Sequence, residues 1–307
     1  MKLIQFFFPG KGKRVGLVQG DRVLDVTSAE EGVRSTLDLV TQGKTAQGLV
    51  TRVTWLARTL HRKGLDWREL LRPPSRRAPH LLIPIEPPEV WGVTEAYGPA
   101  AGTPPAPTSG ASGAMPALTP GSADRPALFF KATAARTVGP GVPIAIRSDS
   151  MLTVPGAGLA AILGTDGAVA AFTGGNDVTA RDLERCGLEF QSQARIYAGN
   201  CALGPCLVTP DEIGDPRGLQ IRCSIIRDGQ ILFSEATNTA RLRQPVTETM
   251  AWLCRDNPVP AGTVLLTGTG IPVPDSAALA DGDLVEIEIE GVGRLSNPVG
   301  RGATAKR

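Results

Sequence analysis

Phe172-Thr173-Gly174-Gly175-Asn176-Asp177-Val178-Thr179-Ala180-Arg181-Asp182-Leu183 is the stretch on which the fold turns. The run Ala168–Phe172 leads into it and reads as a strand ending in Gly-Gly. The Asn-Asp pair then opens a helix expected over Val178–Arg185. A side-chain oxygen of either residue can satisfy the free N–H groups of that helix. The same geometry can also hold the Asp177 carboxylate toward a cavity, where it would suit a hard cation. Taken by itself, the stretch favours the cap.

Working outward, Ala127–Lys131, Pro143–Ile146 and Gly158–Leu163 read as strands. Downstream, Leu219–Arg227 and Gln230–Glu235 flank Asp228-Gly229, a strong hairpin signal. Thr247–Cys254 reads as a helix with Val246 and Met250 on its buried face, and Val264–Thr267 and Asp283–Glu290 as late strands. Near the start, Leu3–Phe8, Arg14–Val18 and Arg22–Val26 suggest a small meander. Helical spacing follows at Val33–Val40 and over Leu49–Leu60, where Leu49, Val53, Leu56 and Leu60 recur. The expected organisation is a small N-terminal β/α domain over 1–72, a linker and loop over 73–124, a larger domain over 125–301, and a tail over 302–307. Tyr97–Asp124 is dominated by Gly, Ala, Pro, Ser and Thr, with too little to bury to offset the entropy of ordering it. It reads as a mobile loop, either a substrate lid or a tolerated insertion.

The bulk numbers exclude several function classes. With 32 basic and 30 acidic residues in 307, the net charge of +2 leaves no footprint for nucleic acid or an anionic membrane. No run reaches the roughly 20 apolar residues a membrane span needs. The opening residues lack the long apolar core and cleavage site of a leader. Five irregularly spaced cysteines do not make a disulfide framework, so a reduced, cytoplasmic protein is expected. Cys201 and Cys206 have no His/Cys companions and read as buried packing. No internal repeat of fixed period is present.

The 172–183 stretch resembles the signature of the fumarylacetoacetate hydrolase superfamily around its metal-binding aspartate. Leu128-Phe129-Phe130-Lys131, Ala202-Leu203-Gly204-Pro205 and Leu266-Thr267-Gly268-Thr269-Gly270 agree with that pattern in order and spacing. So does the ending from Gly282-Asp283 to Asn297-Pro298-Val299. The wording around Phe130–Ala134 and Thr267–Ile271 is similar to the branch of 2-keto-3-deoxy sugar acid dehydratases. The resemblance implies an α+β, β-rich fold with a mixed rolled sheet, a homodimer, and Mg²⁺ held by two glutamates and an aspartate. It also implies a small 2-oxo or β-diketo acid substrate, undergoing dehydration or cleavage of a C–C or C–O bond. A 2-oxo acid chelates a hard cation through carboxylate and carbonyl, which stabilises an enolate.

The chain departs from this pattern where the chemistry is. The two glutamate positions are Gly156 and Gly158, in Val154-Pro155-Gly156-Ala157-Gly158-Leu159. Asp177 is then the only remaining ligand, a weak one for Mg²⁺, and nothing in the spacing of Asp149 or Asp166 makes either a replacement. No tightly bound cofactor is expected, so a metal-free enzyme of specialised metabolism reusing the pocket, and a binding protein without turnover, stand as alternatives to an enzyme with weakly held Mg²⁺. The family's lysine before the Leu-Gly-Pro block is Arg195, which can bind a carboxylate but cannot serve as a base, and the aspartate three residues on is Ala198. A His-based hydrolytic lid is not supported, since the only histidines are His61 and His80, both expected in exposed structural roles. Lys131 and Arg195 remain as candidate catalytic side chains, each with a plain salt-bridged role as its alternative. Lys131 is suited to an anion or, if desolvated, a Schiff base. Arg181, Thr267, Gly268 and Thr269 are the candidate contacts to a small anionic substrate, the last three through backbone N–H groups of a Gly-rich turn.

Overall fold

The computed structural model describes residues 1–30, 32–60, 64–98 and 125–302. A twelve-stranded mixed sheet forms the body of the molecule. Its centre runs Lys2–Phe8, Cys201–Val208, Val169–Asp177, Ala157–Leu163, Val264–Leu266 and Val90–Thr94, so the N-terminal meander joins the main sheet through Lys2↔Val208 and Leu3↔Leu207. A second sheet has five strands, in the order Gln230–Asn238, Gln220–Arg227, Leu284–Ile289, Gly293–Arg301 and Ile144–Ile146.

Strand alternation divides the apolar residues between two cores. Ala160 and Ile162 point to one, with Leu3, Leu17 and the helical residues Leu39, Leu49, Val53 and Leu56. Leu159, Ala161 and Leu163 point to the other, where they meet Ile221, Cys223, Ile225 and Ile287 of the second sheet. Helices Thr36–Gln42 and Ala46–Thr59 therefore cover one face of the large sheet and the five-stranded sheet covers the other. Ser35 caps the first helix by a reciprocal bond with Asp38, and Thr45 caps the second.

Most of the expected strands are present, as short runs bounded by turn residues. The Asp228-Gly229 turn has φ of 51° and 75°, the two left-handed residues of a tight hairpin, and it joins Gln220–Arg227 to the edge strand Gln230–Asn238. Val246 and Met250 are buried on the Val246–Cys254 helix. Three expectations need correction. The stretch 73–124, expected as linker and loop, supplies strands His80–Leu81 and Val90–Thr94 to the large sheet. His80 is buried rather than exposed: its strand pairs with Phe6 and Phe7, and its ring lies 5.1 Å from that of Phe7.

The third correction concerns the opening stretch. Gly174 and Gly175 do not end the strand, which continues through Asn176 and Asp177. They are glycine because neighbours press on both. A Cβ at Gly174 would lie 2.6 Å from the Gly204 carbonyl oxygen, and one at Gly175 would lie 2.5 Å from Leu266 Cδ2. Asn176 and Asp177 pair with Ala202 and Cys201, so neither caps a helix. Thr179–Ala180 pairs with Thr153–Val154, and the helix starts only at Arg181, after Ala180 and without a side-chain cap. Of the Tyr97–Asp124 segment, residues 99–124 fall outside the described residues, as does His61.

Candidate functional site

The end of Val169–Asp177 presents Asp177 beside Gly156, which precedes the neighbouring strand Ala157–Leu163. Two bonds hold this corner: Asp177 N–H donates to Gly156 O at 2.8 Å, and Gly156 N–H donates to Asn176 Oδ1 at 3.0 Å. Lys131 reaches the corner from Ala127–Ala132 and is fully buried. Its ammonium donates to Val178 O at 2.7 Å and lies 2.6 Å from Asp177 Oδ1. The approach to Oδ1 is poorly aligned for a hydrogen bond, so that contact is ionic while the directed bond goes to the carbonyl. The rest of the Asp177 side chain is 22% exposed, which leaves Oδ2 as the oxygen able to face a ligand.

Asn200 ties the same region together. Its side-chain amide donates to Lys131 O at 3.2 Å and to Arg195 O, and its backbone carbonyl accepts from Val178 N–H at 2.9 Å. Arg195 is held from two sides. Its guanidinium pairs with Glu184, with Nε to Oε1 at 3.1 Å, and lies 4.1 Å from the centre of the Phe129 ring. The Tyr197 hydroxyl sits 3.4 Å from Val178 O. Burial raises its pKa well above the ordinary phenol value, and the Asp177 charge pushes the same way.

The turn after Val264–Leu266 closes the other side. Thr267 is buried, and both its N–H and its hydroxyl donate to Leu159 O at 2.9 Å. Gly268 has φ of 84°, and Thr269 is exposed with its Oγ1 accepting from Ile271 N–H at 3.3 Å. Among the described residues nothing accepts from the N–H groups of Gly268, Thr269 or Gly270. Tyr97 packs its ring edge against Gly270, and burial pushes its phenol up to about 12.

The structure thus brings Lys131, Asp177, Gly156, Gly158, Thr267 and Gly268 together. Arg181 stands apart, donating to Val273 O at 2.6 Å and pairing with Asp275 at 3.1 Å. Asp149 pairs with Arg147, and Asp166 accepts from Ala46 and Ala168 N–H groups in a distant turn, so neither replaces a missing carboxylate. Asn176, which the sequence suggests only as a helix cap, and Asn200 and Tyr97, which it does not mark, belong to the neighbourhood. Asn176 adjoins Asp177 in the quoted stretch, whereas nothing local marks Asn200 or Tyr97.

A family model described as the C-terminal domain of fumarylacetoacetate (FAA) hydrolase matches residues 109–300. The chain belongs to the fumarylacetoacetate hydrolase family. It is 40% identical over 244 residues to a 2-dehydro-3-deoxy-D-arabinonate dehydratase of Saccharolobus solfataricus, covering 77% of this chain and 80% of that protein. It is 42% identical over 177 residues to a probable 2-keto-3-deoxyxylonate dehydratase of Haloferax volcanii, covering 58% and 61%. A solved 2-keto-3-deoxy-D-arabinonate dehydratase complexed with magnesium and 2,5-dioxopentanoate superposes with a TM-score of 0.77 at 31% identity, covering 98% of this chain and 99% of that one.

The three-carboxylate cage that this family implies does not fit the residues present. The resemblance puts two of its ligands at Gly156 and Gly158, and at neither is there free room for a side chain. A Cβ at Gly158 would lie 2.2 Å from the Gly268 carbonyl oxygen, and one at Gly156 would lie 2.7 Å from Asp177 O. The third position, Asp177, already faces an ammonium. Among the described residues no three His, Cys, Asp or Glu side chains converge.

Proposed function

We propose that this chain takes a small 2-oxo acid of the 2-keto-3-deoxy sugar acid class and dehydrates it without a tightly held divalent cation. The observation that carries this reading is the buried Lys131–Asp177 ion pair, whose fixed positive charge lies at the corner where the family pattern has a metal. The relatives named as dehydratases supply the substrate class.

The free N–H groups of Gly268, Thr269 and Gly270 receive the substrate carboxylate, with the exposed Thr269 hydroxyl beside them. Asp177 Oδ2 takes the C3 proton, which the neighbouring ketone acidifies, and the electron pair moves to the C2 oxygen. The enolate then collapses and expels hydroxide from C4, which recovers that proton and leaves as water. Lys131 acts at a distance as a preoriented positive charge, since it has no exposed surface with which to touch substrate. Arg195, held by Glu184 and Phe129, braces the wall behind it.

A second reading, a binding protein without turnover, draws support from the same contacts, because Lys131 and Arg195 are both already engaged. The test is to follow 2-keto-3-deoxyarabinonate by NMR with EDTA or with added Mg²⁺, alongside calorimetric Mg²⁺ titration. Water loss that survives EDTA supports the proposal. Turnover only with Mg²⁺ sinks it, and binding without turnover selects the second reading.

A further inference from the structure

A cleft of about 860 Å³ opens away from the candidate site, between the N-terminal part of the chain and the inner strands Leu284–Ile289 and Gly293–Arg301 of the second sheet. None of Lys131, Gly156, Gly158, Asp177 or the 267–269 turn lines it. One wall carries Trp67, Leu71 and Leu81, and the facing wall carries Pro205, Val292 and Pro298. The prolines have no N–H to offer, so that wall presents few backbone donors beside its apolar side chains. Leu71 is 57% exposed.

Charge at the cleft is one-sided. Of its acidic and basic residues, Arg294 is matched by Glu286 and Glu288 at 3.4 and 2.7 Å. Lys2 and Arg72 also line the cleft and have no carboxylate partner among the described residues. An apolar body with a few polar anchors, at a volume between about 300 and 1,000 Å³, is the usual form of a small-molecule site. A second copy of the chain is a poorer fit. Leu71 is the only strongly exposed large apolar residue of the lining, whereas a stable interface buries on the order of 800 Å² per partner.

We infer that this cleft is a binding site, separate from the candidate active site, for a small amphipathic anion: an apolar chain or ring bearing one carboxylate. The apolar body lies between Trp67 and the proline wall, and the carboxylate meets Lys2 and Arg72. Strand Cys201–Val208 supplies Pro205 and Cys206 to the cleft, while its Cys201 pairs with Asp177, so one rigid strand borders both places.

The experiment is calorimetry on the full chain with decanoate below its micelle concentration, with decanol and acetate as controls. Decanoate is expected to bind with one-to-one stoichiometry, decanol at least about fivefold more weakly, and acetate not at all. Lys2→Ala/Arg72→Ala should bring decanoate to the affinity of decanol. Leu71→Asp, at an exposed position, should weaken it by about tenfold or more. Asp177→Asn should leave it unchanged, which separates this site from the proposed catalytic one. Equal binding of decanoate and decanol, insensitivity to Leu71→Asp, or a Leu71-dependent dimer in sedimentation that excludes decanoate would each overturn the inference.

Discussion

Replacing Gly158 by alanine tests the account of the lost metal site at its narrowest point. The new methyl carbon would start 2.2 Å from the Gly268 carbonyl oxygen, so the 267–270 turn must retreat by roughly 1.3 Å to regain ordinary contact. That turn is anchored by two bonds from Thr267 to Leu159 O, each 2.9 Å, which the retreat would stretch. Losing most of both costs about 1–2 kcal/mol, and overpacking a tight strand adds about 1–3 kcal/mol. A total near 3 kcal/mol corresponds to a fall in Tm of roughly 5 °C in a chain of this size. Scanning calorimetry reads it, with Gly300→Ala as control, because a Cβ there meets nothing closer than 3.8 Å. If Gly158→Ala melts with the control, the space is not filled as described. If Gly156→Glu/Gly158→Glu is stabilised by millimolar Mg²⁺, the site can still accommodate its cage and the reasoning fails.

Lys131→Met should destabilise by about 3–5 kcal/mol in urea unfolding, because it strands Asp177 Oδ1 against a buried wall, and adding Asp177→Asn should recover part of the loss. Of the only two tyrosines, Tyr97 is buried and Tyr197 half-buried, and desolvation raises the pKa of both. A phenol raised in the folded state leaves stability intact below the unfolded value near 10 and erodes it as pH climbs through about 12. Ultraviolet titration should therefore show little phenolate at pH 10.5, then a single step that coincides with unfolding; free titration near 10 would contradict both burials. Thiol labelling should find Cys186 fast and Cys201, Cys206 and Cys223 silent until denaturant is added, since burial raises each of these three to about 12.

Much of this was legible in the residues. Short apolar runs bounded by turn residues located most of the central strands, which are buried on both faces between two apolar cores, and Asp228-Gly229 fixed its hairpin through two left-handed residues. Gly174-Gly175 misled because glycine punctuates turns in isolation, whereas here the demand for space came from Gly204 and Leu266, distant in sequence. At the site, the sequence shows glycine at 156 and 158, where the resemblance implies glutamates. What fills the space beside Gly158 could not be read from it: the Gly268 carbonyl arrives from 110 positions later in the chain. The same holds for Lys131, whose partner Asp177 comes from a different strand.

The hairpin at Asp228-Gly229 has a consequence for handling the protein. Its second strand ends the five-stranded sheet, so one side of its ladder of amides and carbonyls meets no neighbour in that sheet, and Ile231 and Leu232 are exposed along it. Such a rim is a template on which another extended chain can lie down. Solutions concentrated enough for crystals or fibres should first lose material through this rim, and a lysine in place of Ile231 is the simplest guard against it.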